Sequence, residues 1–262
     1  MVNSTASQLP TDVQFEKQLG QLSNFVRVMR QAGLPYEALQ TPIDDPDMRK
    51  RLVRFWLSGG YEPTTMQKLA REIMGKNYFG IEETVQHFGV KPTRAQLSAL
   101  AEIPLTEAEL RECKDTHVLV AVFPLSVLDN RGKVERSLFC SHEDAWYNKQ
   151  AFAKDKGEAH WQLVRKTPVE NSTSKTWQDQ QALLAKNEET PTAQIMAYTI
   201  IGHFLVTGER LFENVYVRCS DVGSGGGRVV VGGFGSGGLR VGGGSGGGCS
   251  AHLGLSSARK FN

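Results

Sequence analysis

Side chains able to do chemistry occur in a handful of places along the chain, and each has a competing structural explanation. His142, Glu143 and Asp144 combine an imidazole with two carboxylates, a set that can bind a metal ion. Consecutive residues do not share a face, however. Ser141 ahead of them reads as a helix N-cap, with the acidic residues in the first turn. Gly233-x-Gly235-x-x-Gly238 has the letters of a dinucleotide-binding loop, but that loop must open a helix. The Leu239-Arg240-Val241 that follows is strand-like. Arg49-Lys50-Arg51-x-x-Arg54 could contact phosphate, yet the apolar residues between the charges fit a solvated helix face. His117 and His203 sit in apolar segments and are expected in the core. Cys113, Cys140, Cys219 and Cys249 have no CxxC spacing and read as four reduced thiols. GxxxxGK[ST], HExxH and GxSxG do not occur. No catalytic residues, cofactor or metal are therefore expected.

The totals narrow the class. A formal net charge of +2 over 262 residues is too small to point to nucleic acid. A hydrophobic content of 40% with 22% charged residues is that of a globular protein. No apolar run approaches the ~20 residues of a membrane helix. The N-terminus lacks an apolar signal-peptide region, so a cytoplasmic location is expected, with signal-independent export left open.

The elements that must position these residues follow from periodicity and capping. Residues 1–12 are polar and expected to be a disordered tail. Residues 13–113 read as a helical domain. Phe15, Leu19, Leu22, Val26 and Met29 recur at helical spacing before Gly33 and Pro35. Asp45 caps a helix that starts at Pro46 and closes at Gly59. Thr64 with Gln67, Thr93 with Gln96, and Thr106 with Glu109 are capping boxes, the last with Leu105 and Leu110 as a hydrophobic staple. At His117 the pattern changes to a short β-branched run, HVLVAVF, expected as a buried strand after a domain boundary near Lys114. A helix or turn at SVLDNRGKVE, helical spacing of Trp146, Tyr147 and Phe152, and a strand at WQLVRKTPV follow. Then come helices over 174–184 and 191–207, and a strand at VYVRCSD. The 191–207 helix is apolar nearly all round, as a central buried helix would be.

The tail is unlike the rest. Between Gly223 and Gly254 lie 16 of the chain's 27 glycines. Val229, Val231, Phe234, Leu239, Val241, Leu253 and Leu255 punctuate them, a frame that a plain Gly/Ser linker lacks. An ordinary strand, for its part, does not carry so much glycine. Between the frame positions stand Gly, Ser, Arg, Val, Ala, His and Cys. All are reached from an Asn codon of the form AAY by changing its two adenines. Lys, Glu, Gln, Met and Trp cannot be reached that way, and none occurs from Gly223 to Leu255. Frequent replacement of adenine by guanine would give the glycine excess.

These residues carry a resemblance. HVLVAVFPLSVLDNRGKVE, SHEDAWYNKQAF, WQLVRKTPVENSTSKTW, GERLFENVYVRCSD, RVVVGGF and the closing LGLSSARKF are similar to the variable proteins of bacterial diversity-generating retroelements. The similarity runs from about Phe79 to Phe261, and the closing block below the hypervariable tract is its most specific part. In such systems a reverse transcriptase copies a template repeat with errors at adenines and installs the copy at the end of the target gene. The resemblance implies a C-type-lectin-like fold that displays varied side chains on a ligand-binding face. The expected fold class is thus α+β: the helical domain, then a C-type-lectin-like mixed α/β domain over 114–262 with a hypervariable segment at 221–254.

Carried onto this chain, the fixed frame is Arg228, Val229, Val231, Gly232, Phe234, Gly238, Leu239, Val241, Leu253, Gly254, Leu255, Ser256, Ala258 and Arg259. The expected solvent-facing, varied positions are Gly227, Val230, Gly233, Gly235, Gly237, Arg240, Gly242, Gly243, Gly244, Gly246, Gly247, Gly248, Ser250, Ala251 and His252. Only Arg240 and His252 among them are sizeable, whereas binding faces favour aromatics and arginine. Calcium-dependent sugar binding is not expected, since the varied tract has no carboxylates. The function implied is a non-enzymatic display protein for a protein or other macromolecular ligand, with homo-oligomerisation or attachment through the helical domain. Two alternatives stay open. One is an enzyme or enzyme subunit with a site in 114–210, using His142, Glu143 and Arg165. The other is a structural protein with a flexible Gly-rich tail.

Overall fold

The computed structural model describes residues 12–57, 59–244 and 248–261. The expected disordered tail lies outside them apart from Asp12, and so do Gly246 and Gly247. The chain divides into two compact units, 1–54 and 55–262.

In the first unit, α1 (Asp12–Gln31) is followed by Gly33, at the positive φ of +97°, just ahead of Pro35. A 3-10 turn at Tyr36–Leu39 and the short α2 (Thr41–Asp44) lead to α3 (Pro46–Leu57). Asp45 Oδ1 accepts from the Asp47 and Met48 backbone N–H groups at 2.8 and 3.0 Å, which is the expected cap. The basic run of α3 is exposed at Arg49, Lys50 and Arg51. Among the described residues of 12–54, none is buried.

The second unit is mixed α and β. It opens with α4 (Thr65–Met74), the two-residue β1 (Tyr78–Phe79), α5 (Ile81–Phe88), α6 (Arg94–Ala99) and α7 (Glu107–Cys113). Capping boxes at Thr64, Thr93 and Thr106 start α4, α6 and α7 as the sequence predicts. Next come β2 (His117–Val122), α8 (Val127–Lys133), β3 (His160–Arg165), α9 (Trp177–Gln181), β4 (Glu188–Glu189) and α10 (Ala193–Thr207). The chain ends in β5 (Tyr216–Val222), β6 (Arg228–Gly235), β7 (Gly238–Gly244), β8 (Leu253–Leu255) and β9 (Ala258–Arg259).

The strands form two mixed sheets, ordered β1-β2-β3-β9-β4 and β7-β6-β5-β8. α10 packs against β1 and β2 of the first and β5, β6 and β7 of the second, so every one of its residues from Ala193 to His203 is buried. Thr192 caps its N-terminus and the αL glycine Gly208 its C-terminus. Tyr198 in its middle stacks on Phe88, meets Phe79 edge-on, and donates to the Ala121 carbonyl at 2.9 Å.

Two sequence expectations differ from this arrangement. The first division falls at 54/55 rather than near Lys114, because β1 pairs in parallel with β2, Tyr78 opposite Leu119, which joins 55–113 to the same core. The helix expected to start at Ser141 is absent. Only a 3-10 turn forms, at Trp146–Lys149. Arg131 Nη1 donates to the Ser141 and His142 carbonyls, and Asn148 Nδ2 to those of His142 and Glu143. Carbonyls held by side chains in this way are not offered to a helix.

Candidate functional site

The glycine-rich tail is built into the second sheet. β6 and β7 form an antiparallel pair through Val231 opposite Val241, and β5 flanks β6 through Val217 opposite Val231. Alternation then sorts the side chains. Val217, Cys219, Val229, Val231 and Val241 point to the core, each buried. The opposite face carries cross-strand rows read off the register. One is Arg240, Gly232, Tyr216 and Leu253; the next is Gly242, Val230, Arg218 and Leu255.

Part of this outer face is covered. Arg218 is fully buried, with Nη1 donating to the Lys175 carbonyl at 3.0 Å and to Gln180 Oε1 at 2.7 Å, and Nη2 to the Gly248 carbonyl. The Arg228 guanidinium lies 4.0 Å from the Trp177 ring centre. α9 and the residues before it thus roof that part of the sheet. What stays open is β7, the β6–β7 hairpin and the approach to β8, where Gly237, Arg240, Ser250, Ala251 and His252 are exposed. The hairpin is held from behind by Arg210, which donates to the Phe234 and Gly235 carbonyls at 3.3 and 2.8 Å and sits over the Phe204 and Phe234 rings.

The glycines of the tail are not equivalent. A Cβ on Gly232, at φ +144°, would stand 2.2 Å from the Val215 carbonyl oxygen. On Gly238, at φ +88°, it would meet the Ser137 oxygen at 2.7 Å. On Gly254 it would meet Pro168 at 2.7 Å. These three belong to the expected fixed frame. At Gly235 and Gly237 a Cβ meets nothing within 4 Å. At Gly242 and Gly244 it touches only yielding side chains near that limit or at 3.1–3.2 Å, the Val230 methyls first, apart from the Arg228 oxygen at 3.7 Å.

Several expected varied positions are corrected by this geometry. Val230 is 8% exposed rather than solvent-facing, flanked by β5 and β7 and within the roofed rows. A Cβ on Gly227 would lie 2.8 Å from the Gly244 carbonyl oxygen, so the backbone itself opposes a side chain there. Gly233, at φ +58°, faces the Tyr216 hydroxyl at 2.6 Å, which favours residues that tolerate αL. Gly243 shares a row with the core residue Val229, and its Cβ would contact the Trp146 ring at 3.6 Å. Gly248 is half-buried and its carbonyl is engaged by Arg218. Neither Tyr216 on the outer face nor Trp146, which lies on the other side of β7 beside Gly243, was expected next to the tract. Trp146 is 41% exposed and its indole N–H donates to the Val241 carbonyl at 3.0 Å. Its place depends on a contact between residues far apart in the chain, which periodicity does not encode.

The other candidates have structural partners. Glu143 is paired with Arg136 through two hydrogen bonds, which hold its carboxyl down at a pKa of about 2. His142 Nε2 lies 2.9 Å from the Arg136 carbonyl. Among the described residues, no cluster of three His, Cys, Asp or Glu is placed to hold a metal ion. Arg165 ends β3 and its backbone N–H pairs with Ser257. Gly233, Gly235 and Gly238 form a β-hairpin with no helix behind it, which removes the phosphate-cradle geometry. Comparison with protein-family models, curated proteins and solved structures finds no match.

His203 is buried in α10, while His117 at the start of β2 is half-buried. Burial, with Arg165 nearby, lowers the His117 pKa to about 4. Burial lowers those of His87 and His203 as well. Between pH 6.5 and 4 the unfolded chain binds a proton that folded His117 refuses. The stability gained is complete above pH 6.5 and is lost as pH falls through that window. Urea unfolding from pH 7 to pH 4 is expected to show falling stability, with a shallower slope in His117→Gln. Equal slopes would remove His117 as a contributor.

Proposed function

We propose that this chain is a non-enzymatic ligand-display protein, diversified by retroelement copying, whose C-terminal part has a C-type-lectin-like fold. The observation that carries this reading is the sorting of the tail glycines. Where the frame is expected, at Gly232, Gly238 and Gly254, the space for a side chain is occupied. Of the glycines where variation is expected, Gly235 and Gly237 have open space and Gly242 and Gly244 meet chiefly the Val230 methyls at 3.1–3.2 Å, whereas Gly227 and Gly233 are obstructed and drop out of the varied set. A linker has no reason for such a division, and neither does a tract built for flexibility.

The topology is compatible with the lectin-like reading: the C-terminal β9 returns to pair with β3, and the strands bearing the tract form a second sheet on the other side of α10. In this reading affinity comes from side chains placed on a preorganised backbone, with no chemical step. The helical segments of the first unit serve oligomerisation or attachment.

A library tests it directly. Randomising Gly235, Gly237, Arg240, Gly242, Gly244, Ser250, Ala251 and His252 is expected to yield mostly folded proteins and, on selection, binders to several unrelated protein targets. A library whose members are mostly unfolded would sink the proposal. At the gene level, a neighbouring reverse transcriptase and an adenine-richer near-copy of the tail are expected. Limited proteolysis separates the display face from a flexible tail. An ordered tract resists cleavage between Arg228 and Gly244 on the timescale of the folded core, whereas rapid trimming back to Ser220 favours the flexible tail.

A further inference from the structure

The first unit has no core of its own, since none of its described residues is buried. A segment this short offsets its conformational entropy only by burying apolar surface. α1 carries the surface that is left over. Leu19, Leu22, Val26 and Met29 follow the 3-4-3 spacing of a coiled-coil seam, with Leu19 and Val26 at heptad position a and Leu22 and Met29 at d. Leu19 is 50% exposed and Leu22 57%, in the middle of a helix 20 residues long. In proteins a helix draws most of its stability from packing its apolar face, and here that face lies open.

The charges beside the seam identify what covers it. In this register Glu16 and Arg30 both fall at e, one towards each end of α1. Among the described residues neither makes a hydrogen bond or an ion pair. Arg27, by contrast, is held within the helix by Asn24 and Gln31. We propose that α1 pairs antiparallel with α1 of a second copy of this chain, seam against seam. Antiparallel helices bring e beside e. A two-fold axis near the middle of α1 then sets Glu16 against Arg30 of the second copy, and Arg30 against Glu16 of that copy. A parallel pair would bring e beside g instead. The g positions within α1 are Gln18 and Phe25, which offer neither charge a partner. Antiparallel pairing also sets opposite ends of the two helix dipoles side by side. This inference rests on the oligomerisation role proposed above for the first unit, and it names the partner and the geometry.

Sedimentation velocity of the full chain over a range of concentrations tests it. A monomer–dimer equilibrium is expected, with the dimer weakened as salt is raised. Leu22→Asp is expected to leave only monomer. All four tryptophans lie beyond residue 54, so near-UV circular dichroism checks that the second unit stays folded. Arg30→Glu turns both attractions into repulsions and is expected to weaken the dimer about tenfold, as is Glu16→Arg. Combining the two exchanges the signs and is expected to restore dimerisation to near the parent level. Recovery could not come from helix stability, because both changes oppose the helix dipole. A monomer at every concentration would mean that another protein, or another part of the chain, covers the seam, and would overturn the proposal. A dimer that survives Leu22→Asp would do the same, as would a double variant no better than Arg30→Glu alone. None of these outcomes depends on whether the display face binds anything, which the library selection tests separately.

Discussion

Gly232→Ala is expected to destabilise the protein by about 3 kcal/mol or more, while Gly237→Tyr, a far larger change, stays within about 0.5 kcal/mol of the parent. The two glycines lie five positions apart in the same tract, and nothing in composition separates them. At Gly232 the backbone has φ +144°, and an added Cβ would lie 2.2 Å from the Val215 carbonyl oxygen and 2.9 Å from the Tyr216 Cα. Both obstacles are main chain at the start of β5, Tyr216 and the residue just before it, so relief requires parting β5 from β6. The conformational strain costs of order 1–3 kcal/mol and the overlap a similar amount. At Gly237 the added Cβ meets nothing within 4 Å, and the tyrosine ring projects into solvent from the hairpin. Gly238→Ala is expected to follow Gly232, since Ser137 and Phe139 main-chain atoms stand within 2.8 Å. Urea midpoints of the three variants provide the measurement. A Gly232→Ala protein as stable as the parent, or a Gly237→Tyr protein as damaged as Gly232→Ala is meant to be, would refute the division of the tract into fixed and free glycines.

That division shows what the sequence could and could not convey. Local signals translated well. The capping boxes at Thr64, Thr93 and Thr106 start helices because a cap is a contact among residues three apart. The apolar run of α10 becomes a helix packed between sheets because no polar face exists to offer water. The valine and phenylalanine frame of the tail turned inward, as alternation within a strand requires. Non-local features did not translate. β1 is two residues long, too short for any period, yet its pairing with β2 decides which core 55–113 joins. Trp146, Tyr147 and Phe152 have helical spacing, but Arg131 and Asn148 take the carbonyls a helix would need. The codon pattern, even if it records rewriting as proposed, does not say which positions would tolerate it. Gly227 and Gly235 look alike in sequence and differ only in what faces them, the Gly244 carbonyl or nothing.

Arg218→Met is expected to cost about 3 kcal/mol and to loosen the tract beside it, though the side chain touches no expected ligand position except Gly248. An arginine between Val217 and Cys219 in a strand would ordinarily reach solvent. Here it has none, and its guanidinium ties β5 to the Lys175 carbonyl, Gln180 Oε1 and the Gly248 carbonyl. Methionine keeps much of the volume and leaves these acceptors unpaired, each at a penalty of about 1–3 kcal/mol when buried. Arg218→Lys is expected to recover only part of the loss, because one ammonium cannot reproduce a planar fork that spans separate acceptors. The roof and the floor of the proposed display face meet at this residue, α9 on one side and the approach to β8 on the other. Its removal should therefore speed proteinase K cleavage between Gly248 and His252 more than it speeds cleavage in α10, whereas Arg240→Met, exposed on β7, should change neither. Uniform acceleration across the chain would reduce Arg218 to a general stabiliser. Selective acceleration would mean that a buried cation supplies the rigidity an almost side-chain-free surface cannot supply for itself.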